Sequence, residues 1–214
     1  GLRSAGVDAY NYSCNEVWNL DIRGTGSYPL DWSSAYGLTV DECRFANCGG
    51  GPFVAQGGVF QRCVFENLSG WVKAGDGGWV GHCRFKSCLL SLITASAGSL
   101  IFSDHRGTVA ISLHFGTAYH CTIDARGHQR SDRETYAIGY AGTAHSCVIR
   151  GFYYAFENTI TAYGCVADCT YFGGTDANRY NTLGPITFAD ATNHDLRIVP
   201  GSLGSTLNPG GWDA

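Results

Sequence analysis

The chain has 214 residues, 44% of them apolar and only 15% charged, with a formal net charge of −4. That balance excludes a disordered chain and argues against nucleic acid as a partner, because phosphate binding wants a basic face. No apolar run reaches the ~18 residues of a membrane span, and 30 glycines against 5 prolines point to a turn-rich β chain.

Methionine is absent and no signal peptide stands at Gly1, so the chain reads as a mature form or as a fragment of something longer. The first recognisable element is 17–22, VWNLDI. The insertion 24–34, with Tyr28, Pro29, Leu30, Asp31 and Trp32, reads as a protruding loop. Then comes a repeated pattern of an apolar residue, two others, Cys, any residue and an apolar one. Its copies are VDECRF at 40–45, FQRCVF at 60–65, VGHCRF at 80–85, AYHCTI at 118–123, AHSCVI at 144–149 and AYGCVA at 162–167. Segment 100–105, LIFSDH, fits more loosely with Ser103 in the cysteine place. The reference positions are therefore 20, 43, 63, 83, 103, 121, 147 and 165.

Each copy alternates as a strand does and is punctuated by glycine, which rules out helix. Gly58, Gly78, Gly98, Gly116 and Gly142 precede their references by five residues, the place expected for a recurring turn. Second apolar strands are predicted at 53–55, 71–72, 92–93, 109–113, 136–138 and 154–156. Two or three short strands per coil, closed by turns, make a parallel solenoid.

On these residues the chain resembles the pectate lyase-like right-handed parallel β-helix superfamily, over roughly residues 17 to 170. The tail, with FAD at 188–190, Asn193, DLR at 195–197 and PGS at 200–202, resembles the closing segment of secreted and phage-borne members. The expected fold is all-β, a single-stranded right-handed parallel β-helix of about eight coils. Residues 1–174 are expected to form the coils and 175–214 a C-terminal closing segment of the same domain.

Stacking predicts an inward ladder of Cys43, Cys63, Cys83, Cys121, Cys147 and Cys165, with Leu20 and Ser103 as variant rungs. A second stack of Phe45, Phe65 and Phe85 continues into Ile123 and Ile149. The ladder thiols point in parallel, so reduced, buried cysteines are expected rather than disulfides. Cys48 and Cys88 fall two coils apart, and Cys14 and Cys169 lie outside the ladder. Three residues after each reference an outward column reads Arg23, Ala46, Glu66, Lys86, Arg106, Asp124, Arg150 and Asp168, a solvated face with cross-rung charge pairs.

The chain holds no zinc spacing, no nucleophile elbow and no phosphate loop. No cofactor and no metal is expected, and His82 with His120 at equivalent turns falls short of the three or four ligands a site needs. The candidate catalytic residues gather where the repeat is least regular: Asp104, His105 and Arg106, and across the long interval after Cys121, Asp124, Arg126, Asp132 and Glu134. Carboxylates beside Arg and His suit acid/base work on an acidic sugar, and local ion pairs in a solvated loop are the bland alternative. His105 falls where other coils have Phe, which makes it a core histidine or marks a slip in register. Candidate glycan-binding aromatics are Trp71, Trp79, Tyr119, Tyr153 and Tyr154, with Tyr163 beside them.

The expected function is a structural or adhesive β-solenoid module of a surface, filament or phage-type assembly, compatible with glycan binding. The alternative is a polysaccharide lyase or glycoside hydrolase acting on an acidic glycan. Expected partners are a second copy or a neighbouring domain at the helix ends and a polysaccharide, with neither nucleic acid nor membrane. The expected location is extracellular, on a cell surface or virion.

Overall fold

The structure is a computed structural model that describes residues 7–8, 16–32, 36–105, 107–125, 135–174, 180–193, 195–203 and 205. It is a β-solenoid. One sheet stacks nine parallel strands, from Asp21–Arg23 through Arg84–Lys86 to Thr182–Leu183. A fifteen-stranded sheet supplies the rest of each coil. A representative coil runs through strands Trp71–Ala74, Trp79–Gly81 and Arg84–Lys86. In later coils the first two merge into the continuous strands Val109–Tyr119 and Tyr136–His145. Among the described residues the only helical element is the 3-10 turn Ala191–Asn193, and no helix is long and apolar enough to cross a membrane.

Three left-handed corners close such a coil. They fall at Gly57, Arg62 and Asn67 in one coil, at Gly77, His82 and Ser87 in the next, and at Thr94, Ser99 and Asp104 in the third. Glycine meets this demand without a Cβ penalty. Asparagine tolerates it through local hydrogen bonding, and the Asn67 amide also donates to Asn47 Oδ1 on the neighbouring coil at 3.2 Å. The predicted turn glycine Gly58 has a different reason. A Cβ there would lie 2.6 Å from Val54 Cβ, so close approach excludes a side chain, while the left-handed freedom belongs to Gly57.

The ladder forms as predicted, with one correction. Phe85 pairs with Phe102 and Arg84 with Ile101, so the residue in line with Cys83 is Leu100, not Ser103. The coil is three residues shorter than the expected register. The signal lies in the sequence: AGSLIFS at 97–103 matches VGHCRFK at 80–86 glycine for glycine and phenylalanine for phenylalanine. Phe102 therefore extends the ring stack, with centroid separations of 5.5 Å for Phe45–Phe65, 4.8 Å for Phe65–Phe85 and 4.4 Å for Phe85–Phe102. Ser103, not Arg106, pairs with Lys86 in the outward column.

A further rung escaped the sequence reading because it carries no cysteine. Val166 pairs with Thr182, which sets Asn181 in line with Cys165. In the ladder, Cys63 N–H donates to Cys83 Sγ at 3.4 Å, and Cys63 Sγ–H donates to the Val40 carbonyl of the preceding coil at 3.3 Å. Asn181 reproduces both contacts: Oδ1 accepts from Cys165 N–H at 2.8 Å, and Nδ2 donates to the Ala162 carbonyl at 2.8 Å. The amide completes the ladder with stronger donors and acceptors than a thiol has.

The nine described cysteines are all free, and eight are buried, with Cys169 half-buried. Burial pushes the Cys88 thiol up to about 12, and hydrogen bonding to Cys121 together with burial drives Cys147 well above its ordinary value. Because the thiolate is the reactive form, a thiol-specific reagent at mildly alkaline pH is expected to leave the eight buried cysteines unlabelled in the native protein. Denaturant should release them together. Labelling of any ladder cysteine in the native state, read by peptide mass spectrometry, would refute the sealed ladder.

Candidate functional site

Of the catalytic candidates the structure describes Asp104, His105 and Asp124, and none of these three is exposed. Asp104 is half-buried at a corner, where Ser87 Oγ donates to its carbonyl at 3.0 Å and to its carboxylate at 3.3 Å. His105 is 2% exposed, with its ring 5.6 Å from that of Phe152. It is a core histidine at the inward corner that Cys48, Leu68 and Cys88 hold in earlier coils. The Phe position it was expected to fill belongs to Phe102, so core burial and a register slip both apply. Arg106, Arg126, Asp132 and Glu134 lie outside the described residues.

Asp124 is sealed rather than solvated, at 3% exposure. Its Oδ1 accepts from Arg150 Nε at 2.8 Å, and Arg150 is itself buried. The guanidinium lies 4.3 Å over the Phe188 ring, a cation–π contact. The antiparallel hairpin of Phe188–Asp190 and Asp195–Ile198 packs Phe188 and Leu196 with Ile186 onto Val148 and Val166 of the nine-stranded sheet. Asp168 Oδ2 accepts the Ile186 N–H at 3.2 Å where the tail enters this packing. The sequence pattern predicts a solvated face for the outward charge column. In these last coils it is an anchor for the tail, because the tail covers it.

The aromatic candidates divide. Tyr154 stacks between Tyr136 and Tyr171, with both centroid separations 5.4 Å, and Tyr153 packs edge-on against Tyr154 at 4.9 Å. Trp71 is half-buried in a different coil. Trp79 and Tyr119 share another part of the fifteen-stranded sheet, where the register aligns Gly81, Gly98, Tyr119, His145 and Tyr163 in one column. Two residues earlier in each strand a second column reads Trp79, Ser96, Thr117, Thr143 and Thr161. Between them Val80, Ala97, Ala118, Ala144 and Ala162 are wholly buried, so period-two alternation turns both columns outward.

This face is built around Trp79. A Cβ at Gly81 would lie 2.3 Å from the indole Nε1, and one at Gly98 2.6 Å from Cη2. The indole thus rests on two bare glycine rungs and fills the ring column where that column has no side chain. Beyond it, Tyr119 and His145 stack at 5.1 Å and 12°, and His145 and Tyr163 at 4.9 Å and 11°. Burial first, then the nearby His120 charge, holds the His145 pKa below its usual value. The result is a stripe of ring edges, phenol hydroxyls and one imidazole over five rungs, flanked by threonines. Trp79 is 36% and Tyr119 37% exposed. Sequence reasoning missed His145 as a member; the signal was the shared place of Tyr119, His145 and Tyr163 two residues before successive ladder cysteines.

Among the described residues no group of three or more His, Cys, Asp or Glu is placed to hold a metal ion. No family profile matches the chain, and no curated protein matches it.

Proposed function

We propose that this chain is a structural, adhesive β-solenoid of a surface, filament or phage-type assembly, and that it holds a glycan without cleaving it. The observation that carries the reading is the outward column of Tyr119, His145 and Tyr163, extended by the Trp79 indole lying over Gly98 and Gly81, beside a threonine column. Amphipathic rings offer an apolar surface to sugar C–H groups and polar tips to sugar hydroxyls. A pleated sheet with a packed core holds those groups at fixed spacing, so little ordering is left for binding to cost. Asp124 and His105 are buried, which counts against these two as acid/base groups of a lyase or hydrolase.

The test is incubation of the whole chain with a panel of acidic and neutral polysaccharides, scored for retention and for chain cleavage. Retention without new reducing ends or unsaturated sugars is expected. Tyr119→Ala should weaken retention about tenfold or more, the equivalent of one good aromatic contact. Catalytic release of oligosaccharide would overturn the reading.

A further inference from the structure

The Trp79–Tyr163 face is set apart by charge. Segments 77–82, 94–100, 115–121, 141–147 and 159–165 supply its two columns. None of them contains Asp, Glu, Lys or Arg, although 15% of the chain is charged. The charged groups at its edge are carboxylates: Asp76, which accepts from Thr94 Oγ1, and Glu157, which accepts the Tyr140 N–H. The change along the sheet is abrupt. Nearer the N-terminus the same columns carry Glu16 and Asp41, with Glu42 and Arg62 at the corner. There Arg62 pairs with Asp41 and, at 3.3 Å, with Glu42. His145 lies inside the uncharged stretch, and its lowered pKa leaves it neutral at neutral pH.

An acidic polymer would need fixed cations to replace the water it loses, and this face offers no Lys or Arg, only the imidazoles of His82, His120 and His145. A chain of hydroxyl and C–H groups meets no such demand. We infer that the ligand of this face is a neutral, linear polysaccharide laid along the coil axis, an inference that rests on the glycan-holding reading above. Rungs repeat about every 4.8 Å, close to the length of one pyranose in an extended chain, so successive sugars meet successive rungs. Their C–H groups pack along the Trp79 indole and the exposed ring edges of the column, and their hydroxyls reach Thr117, Thr143, Thr161 and the tyrosine hydroxyls. The five rungs span about 20 Å at that spacing, so a polymer engages the whole stripe and a disaccharide only part of it.

Affinity electrophoresis of the whole chain separates the possibilities. Gels are cast with neutral polymers (mixed-linkage β-glucan, glucomannan, dextran) or acidic ones (polygalacturonate, alginate), each at low and high salt. Retardation by at least one neutral polymer is expected, with little change on adding salt because no charge pair is screened. Trp79→Ala and Tyr163→Ala should each weaken it about tenfold or more. Gly98→Val displaces the indole while keeping every ring, and it should do the same. Circular dichroism and a thermal melt verify the fold of each variant, and the Tyr163 and Gly98 variants decide the matter if Trp79→Ala does not fold. Retardation by acidic polymers alone, lost in the variants, keeps the glycan reading and overturns the neutral class. Retardation by none overturns both. Neutral retardation indifferent to all three variants overturns this face as the site.

Discussion

Phe65→Ala is expected to cost about 3–5 kcal/mol, the usual range for truncating a buried phenylalanine, and to lower the melting temperature by roughly 6–20 °C for a domain of this size. Phe65 is fully buried. It stacks between Phe45 and Phe85 and meets Phe60 edge-on at 5.4 Å. The cavity cannot readily close, because the strands around it are tied to both neighbouring coils: Phe65 pairs with Phe45 on one side and Phe85 on the other. Collapse would break rung hydrogen bonds in three coils at once. Phe65→Leu retains most of the volume and should cost much less. Trp18→Ala, at a position 59% exposed, should move stability by no more than about 0.5 kcal/mol. A melt of Phe65→Ala within a degree or two of the parent would show that the ring stack does not bear on stability as argued.

The second large effect concerns the tail. Arg150→Ala strands the Asp124 carboxylate in a buried place, and removing one partner of such a pair costs about 3–5 kcal/mol. It also takes away the cation beneath Phe188. Hydrogen exchange should therefore rise first in the hairpin strands Phe188–Asp190 and Asp195–Ile198, with the Cys43 to Cys83 coils less affected, since solenoid repeats contact mainly their neighbours. The double variant Asp124→Leu/Arg150→Met removes both charges and keeps their volume. It should recover most of the loss, because an apolar pair avoids the desolvation that the ion pair must offset. If the double variant is as unstable as Arg150→Ala, the cost lies in lost packing rather than in the uncompensated charge.

The sites differed in how plainly they could be read. The ring column was half visible: Trp79, Tyr119 and Tyr163 were singled out, yet nothing local tied them to His145 or to each other. Tyr119, His145 and Tyr163 share a place two residues before a ladder cysteine, but Trp79 stands four before Cys83 and reaches their column only across Gly81 and Gly98, and the expected register at Ser103 sets one coil out of line. Gly98 then looked like a turn glycine instead of the seat of an indole. The repeat places Asp124 and Arg150 in one column, and it predicts a solvated column because nothing in it says where the tail will lie.

What the sequence by itself determined is the coil. Period-two alternation, cysteines and phenylalanines at matching offsets, and glycines recurring at the turns are local and repeated, so each copy corroborates the next. The tertiary structure decided what covers what. Stacking made Asn181 a rung without a cysteine, since only its alignment with Cys165 reveals that an amide replaces a thiol. Docking of the hairpin turned an outward charge column into a buried ion pair. Two bare glycine rungs on adjacent coils became the bed of Trp79. Each of these depends on contacts between residues far apart in the chain, whose burial is set by neighbours that no single repeat contains.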